Sequence, residues 1–276
     1  MYKIKNYNIA QNEAHPFHLV NPSPWPLMTS LSIFGVLVYL VHDFHDLTPN
    51  TWVASFLRYY CIFAFITTLV LWTTDISEEG VLEGQHTLKV EQGFRYGVIL
   101  FIASEIMFFV SLFWAYFHYS LNPSIWIGCV WPPQGIQPIS PWGLPLLNTV
   151  VLLSSGVSVV WAHRALIAGI RNDVTAGFVI TLGYGIFFTG LQTFEYIHAP
   201  FSINDSVYGS IFYMITGTHG VHVIVGTILI IIQFIRHLNY QLYQDRHFGF
   251  EAAAWYWHFV DVVWILVFLV IYWWGS

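Results

Sequence analysis

The stretch from Phe94 to His118, FRYGVILFIASEIMFFVSLFWAYFH, decides the fold class. It is apolar over a length that lets a helix cross the roughly 30 Å hydrocarbon core of a bilayer, yet it carries a carboxyl group, Glu105, near its middle. A charge at that depth costs at least ~3 kcal/mol and is rarely decorative. The residues three, four and seven positions away on the same helix face, Val98, Phe101, Ile102, Phe108, Phe109 and Leu112, offer no counter-charge. The partner of Glu105 is therefore on another helix, or it is a proton. An acid in apolar surroundings favours its neutral form, so a structural hydrogen-bonding role and a proton-exchanging role are about equally open to this residue.

The rest of the chain repeats the pattern. Of 276 residues, 56% are hydrophobic, 19% aromatic and only 9% charged, with a mean hydropathy of +0.60. This composition marks an all-α, polytopic membrane protein. Apolar runs bounded by Pro, Gly and charge give about seven crossings of roughly twenty residues each. They are expected at Leu27 to His42, Trp52 to Thr74, Phe94 to His118, Leu144 to Leu166, Val174 to His198, Val207 to Ile235 and Glu251 to Trp274. Pro22, Pro24 and Pro26 precede the first run, where residues without a backbone N–H suit a helix start.

Cations orient the bundle, because Lys and Arg in short loops stay on the side of synthesis. With seven crossings, Lys3, Lys5, Lys89, Arg95, Arg164, Arg171, Arg236 and Arg246 fall on the N-terminal side, and only Arg58 falls near the other face. Removing one crossing scatters the later arginines over both faces, so the charge bias supports the count. The first 25 residues lack the uninterrupted apolar core of a cleavable signal. Cys61 and Cys129 are too isolated for a disulfide framework or a thiolate site. A net charge of -6 with no basic cluster gives no reason to expect nucleic acid.

The loops divide the chain into an N-terminal inner-side segment (1–26), a two-helix bundle (27–74), a polar hinge loop (75–93) and a five-helix bundle (94–276). The hinge holds Asp75, Glu78, Glu79, Glu83, His86, Lys89 and Glu91. A second long loop, Tyr119 to Gly143, combines five prolines with Trp126, Trp131 and Trp142, which predicts a stiff segment packed at the membrane interface.

Redox chemistry in this chain is disfavoured. No two histidines have the spacing of a four-helix dihaem arrangement, no cysteine pair supports dinuclear copper, and no lysine falls inside an expected span to hold retinal. Three pairs at helical spacing remain: Glu195 with His198, His219 with His222, and His258 with Asp261. Glu-x-x-His is half of a carboxylate-bridged di-iron motif, but that chemistry needs a second motif and further core carboxylates. Hydrogen bonds tying helices together in lipid are the better reading, and no metal ligand is assigned. Gly217, Gly220 and Gly226, with Gly183, Gly185 and Gly190, are expected to let helices approach closely. Sparse polar groups argue against a conduction path.

Several stretches bear a family resemblance. FEAAAWYWHFVDVVWILVFLVIYWWGS (Phe250 to Ser276) closely resembles the C-terminal end of subunit III of cytochrome c oxidase. HLVNPSPWP (His18 to Pro26), RYGVILFIASEIMFF (Arg95 to Phe109), WPPQGI (Trp131 to Ile136), PLLNT (Pro145 to Thr149) and THGVHVIVGT (Thr218 to Thr227) extend the resemblance in order along nearly the whole chain. Related quinol oxidase subunits share the fold but are less similar. The resemblance implies two-helix and five-helix groups with a V-shaped, lipid-filled cleft, no haem or copper in this chain, and a place beside oxidase subunits I and II, which hold those cofactors. It implies the mitochondrial inner membrane with the N-terminus on the matrix side, or the plasma membrane in a bacterium.

The resemblance also assigns residues. Glu105 matches the family's carbodiimide-reactive intramembrane glutamate, a proton-exchanging carboxylate. Glu79, His86 and Arg236 match positions that face phospholipid head groups, and Trp72 and Trp114 match aromatics near the acyl chains. The lipids implied are phosphatidylethanolamine, phosphatidylglycerol or cardiolipin. No residue is implied to be catalytic. Thr73, Thr74 and Ser77 stand where a tryptophan and two arginines are usual, which leaves the lipid contacts and the choice of lipid open. The expected role is to stabilise the catalytic subunit and support proton uptake during oxygen reduction. The alternatives are a purely structural, lipid-holding subunit or the equivalent subunit of a quinol oxidase.

Overall fold

The computed structural model describes residues 15–45, 52–81 and 83–275, so Lys3, Lys5 and the stretch 1–14 lie outside the described residues. Among these the protein is all helical: α1 (Trp25–Phe44), α2 (Trp52–Val81), α3 (Leu88–Leu121), α4 (Leu144–Ala168), α5 (Arg171–His198), α6 (Ser206–Leu238) and α7 (Phe248–Val267). All seven are long and apolar enough to cross a membrane. The last continues as a π-helical turn over Phe268–Trp273.

Each expected crossing is present, and most helices run further than their apolar runs. The largest difference is in the polar segment 75–93. Helix α2 continues to Val81 and α3 begins at Leu88, so most of that segment is helix rather than loop. Polar side chains do not stop a helix that leaves the bilayer, because its backbone bonds are internal and its side chains are solvated.

The chain forms two compact units, Met1–Phe94 and Arg95–Ser276. In the first, α1 starts behind Pro24 with a further proline in its first turn. It approaches α2 closely at Gly35, where a Cβ would lie 2.7 Å from Cys61 Sγ. Arg58, the cation that departs from the charge bias, is ion-paired to Asp43 at 2.6 Å. Trp25 Nε1 donates to Asp75 Oδ2, and Thr87 Oγ1 donates to the Pro16 carbonyl at 2.5 Å.

In the second unit α7 is the most buried span. Hydrocarbon tails remove the hydrophobic drive between helices, so association rests on close packing and polar contacts. Both devices are present. Trp257 Nε1 donates to Ser155 Oγ at 2.8 Å and Trp264 Nε1 to Thr149 Oγ1 at 3.0 Å, both on α4. Helices α4 and α5 form a tight hairpin through Gly169, whose φ of 75° suits glycine. They meet at Gly177, where a Cβ would fall 2.7 Å from that of Ala162, and at the Ser158–Thr181 hydroxyl pair, 2.7 Å apart.

The glycines expected to make close approaches are only partly the ones that do. Gly185 and Gly226 pack against Trp257, but Gly183, Gly190 and Gly220 have nothing within 4 Å of an added Cβ. Gly217 has only the Tyr196 hydroxyl, at 4.0 Å. Gly177 does what was expected of Gly183 and Gly190.

Candidate functional site

Glu105 sits on the third helix among aromatic side chains, and the second unit supplies its partner. His222 on α6 places Nε2 at 2.9 Å from Glu105 Oε2. The other ring nitrogen, Nδ1, lies 2.8 Å from the Thr218 carbonyl. A carbonyl oxygen only accepts, so Nδ1 must carry a hydrogen. It follows that one proton lies between Nε2 and Oε2: either the acid donates to a neutral imidazole or an imidazolium donates to a carboxylate. The pair is net neutral in both forms, which removes most of the penalty of placing either group in the span.

Aromatic rings enclose the pair. Phe109 meets the His222 ring edge-on at 5.0 Å, Phe259 does so at 6.0 Å, and Tyr256 stacks on it at 6.2 Å with an angle of 15°. Phe101 stacks in turn on Tyr256 at 6.3 Å. The Glu105 side chain is still 24% exposed, so a small reagent can reach it from the hydrocarbon. The arrangement suits a carboxyl that keeps, shuttles or surrenders one proton within a fixed hydrogen bond.

The pairs at helical spacing behave differently from one another. His219 turns away from His222 and donates from Nε2 to the Val260 carbonyl at 3.2 Å. His198 Nδ1 donates to Phe194 O at 2.9 Å and lies at the surface, whereas Glu195 is 3% exposed. Glu195 Oε1 accepts from the Tyr272 hydroxyl at 2.6 Å and from Gln192 Nε2 at 3.2 Å, and Gln192 accepts from Asn148 Nδ2 at 3.2 Å. That run ties α4, α5 and the π-helical turn together. Only His258 and Asp261 face each other, at 3.5 Å. Glu195 and His219 make polar ties between helices, whereas His198 and the His258–Asp261 pair make their contacts within one helix.

Of the residues expected to hold lipid, Glu79, His86 and Trp72 lie in the first unit and Trp114 and Arg236 in the second. Glu79 and His86 come together and are joined by His18, with one ligand atom from each within 4.8 Å of the others. His18 Nε2 is 4.0 Å from Glu79 Oε2, and the His86 ring stands edge-on to Phe94 at 5.0 Å. Gly80 makes room for that ring, since a Cβ there would lie 2.5 Å from His86 Nδ1. His18 was legible only as part of the HLVNPSPWP stretch. Arg236 Nη1 reaches Gln233 Oε1 at 3.5 Å and lies over Gly249. Trp114 is 74% exposed on α3.

Residues 15–276 match the family model for cytochrome c oxidase subunit III. Cytochrome c oxidase subunit 3 of Anopheles gambiae is 51% identical over 262 residues, covering 95% of this chain and 98% of the relative. The subunit 3 proteins of Chondrus crispus (49% over 264 residues, 96% of each chain) and Marchantia polymorpha (48% over 265 residues, 96% of this chain and 98% of the relative) are similar to it as well.

Proposed function

This chain belongs to the cytochrome c oxidase subunit III family, and from that premise we propose that it is a non-catalytic core subunit of the respiratory oxidase, complex IV. It holds no redox centre. It flanks subunits I and II, which carry haem and copper, in the mitochondrial inner membrane with its N-terminus on the matrix side. Its work is to stabilise the catalytic subunit and to support proton uptake while oxygen is reduced by cytochrome c.

The observation that carries this reading is the Glu105–His222 pair, with Nε2 and Oε2 2.9 Å apart inside a span. A carboxyl that can present its acid form to hydrocarbon is the chemistry carbodiimides attack. On the inner polar surface, Glu83 and His86 keep protons near the entrance of the catalytic subunit. Carbodiimide treatment of the purified complex is expected to label wild-type chain at Glu105 and leave Glu105→Gln unlabelled. Unchanged labelling of the variant would remove the assignment.

A second reading, a purely structural role in holding phosphatidylethanolamine, phosphatidylglycerol or cardiolipin, is favoured by the lipid-suited placing of Trp114 and by Arg236, which ends α6 among inner-side cations. It predicts that Arg236→Ala loses bound phospholipid and shortens the enzyme's life under repeated turnover while initial proton uptake is normal. The first reading predicts the opposite order of effects for Glu105→Gln.

A further inference from the structure

Three side chains outside the Glu105 pair converge where α4 ends and α7 begins: His163, His247 and Glu251. Each offers one ligand atom, and the three atoms lie within 4.8 Å of one another. From this geometry we infer that the chain has a divalent cation site of the two-histidine, one-carboxylate kind, built for Zn²⁺.

The donor orientation supports it. His247 Nδ1 lies 3.1 Å from the Tyr243 carbonyl, an acceptor, so the ring hydrogen belongs on Nδ1 and the Nε2 lone pair is free in the neutral ring. A second hydrogen bond of this kind is the usual way a zinc-binding imidazole is oriented. That Nε2 faces Glu251 Oε1 at 3.6 Å. Two lone-pair atoms facing each other repel unless a cation lies between them. The third group, His163, has its Nε2 buried with no hydrogen-bond partner, and its ring stands 5.1 Å from that of His247. A proton satisfies the first two groups, whereas a metal ion satisfies all three.

The surroundings hold the set in place. Arg95 is ion-paired to Glu251 Oε2 at 2.9 Å without the geometry of a hydrogen bond, which balances charge at that oxygen and leaves Oε1 for the site. Phe250 packs edge-on against His163 at 5.5 Å. His247 is the residue before α7 and Glu251 lies in its first turn, four residues on. Imidazole with carboxylate selects zinc over the harder magnesium and calcium ions, which prefer all-oxygen shells. Ligand atoms around tetrahedral zinc are ~3.3 Å apart, so modest side-chain rotation closes the site and leaves the fourth position for water. All three ligands belong to this chain, and none of them is part of the Glu105–His222 pair.

The test uses the purified oxidase complex, freed of loosely bound metal by a chelator and dialysed against Zn²⁺. The wild type is expected to take up one zinc ion more than complexes carrying His163→Gln or His247→Gln, with an affinity loss of at least ~10-fold in each variant. Anomalous difference density at the zinc edge, from wild-type complex exposed to Zn²⁺ alone, is expected among His163, His247 and Glu251. That measurement needs no variant, so failure of a variant to assemble does not block it. Equal zinc uptake by the wild type and both variants, or a zinc-edge map without density at these three residues, overturns the inference.

Discussion

Glu105 was visible in the sequence as a carboxyl in the wrong solvent, but its partner was not, because His222 lies 117 residues away. Nothing in a single sequence connects two residues at that distance. His222 was visible within the THGVHVIVGT stretch and as half of a pair with His219, a pairing that the helix geometry allows but that the Val260 carbonyl and Glu105 divide between them. The contact gives an ordering of variants. Glu105→Gln retains a side chain able to donate to His222 Nε2 and is expected to destabilise the complex by less than ~1 kcal/mol, whereas His222→Leu leaves the carboxyl unpartnered and is expected to cost ~1–3 kcal/mol. Thermal release of the subunit from the purified complex measures both. Equal losses would mean that the hydrogen bond is not what holds the pair. Glu195 follows the same logic, since its Oε1 accepts from Tyr272 while Oε2 has no partner. Tyr272→Phe removes the shorter of its two hydrogen bonds and is expected to lower stability by ~1–3 kcal/mol, and Glu195→Gln in the same background is expected to restore part of that loss.

At the scale of elements, the seven helices were legible because twenty apolar residues between prolines, glycines and charges admit few other structures. Helix ends were less legible, since a helix leaving the bilayer carries polar residues as readily as a loop does. That is why most of the segment 75–93 proves to be the ends of α2 and α3. The packing glycines were legible as a class and not as individuals. Small residues mark helices that pack, but which face they occupy depends on rotations that one sequence does not fix. Gly177→Ala is expected to force α4 and α5 apart, because its Cβ would lie 2.7 Å from the Ala162 Cβ and 3.0 Å from that residue's backbone. Overpacking of this kind costs ~1–3 kcal/mol, and here it acts on backbone that cannot rotate away. Gly183→Ala, with open space around its Cβ, is expected to assemble at the wild-type level. Comparing the yield of assembled complex for the two variants checks the assignment, and equal loss in both would contradict it.

For the whole molecule, the strongest expectation from sequence alone concerns orientation, because one charge bias acts on every crossing at once. Arg58 departs from the bias, and its 2.6 Å contact with Asp43 turns the departure into a neutral ion pair. The bias is set by the distribution of Lys and Arg as a whole and not by net charge, so one cation against eight leaves it standing. The alternation of seven spans then sets Cys129, in the connection between α3 and α4, on the opposite side of the membrane from Asp245, in the connection between α6 and α7. Cys129 is exposed, Asp245 is exposed, and Cys61 is partly covered. A membrane-impermeant maleimide added to sealed vesicles whose outer face is the intermembrane face is therefore expected to label Cys129. In a Cys129→Ser, Asp245→Cys chain it is expected to label nothing until the vesicles are opened. Labelling of both positions from one side would break the alternation and with it the count of crossings. Labelling of Asp245→Cys alone would keep the count and invert the molecule, placing the Arg164, Arg171, Arg236 and Arg246 end, with its three converging zinc ligands, on the intermembrane side.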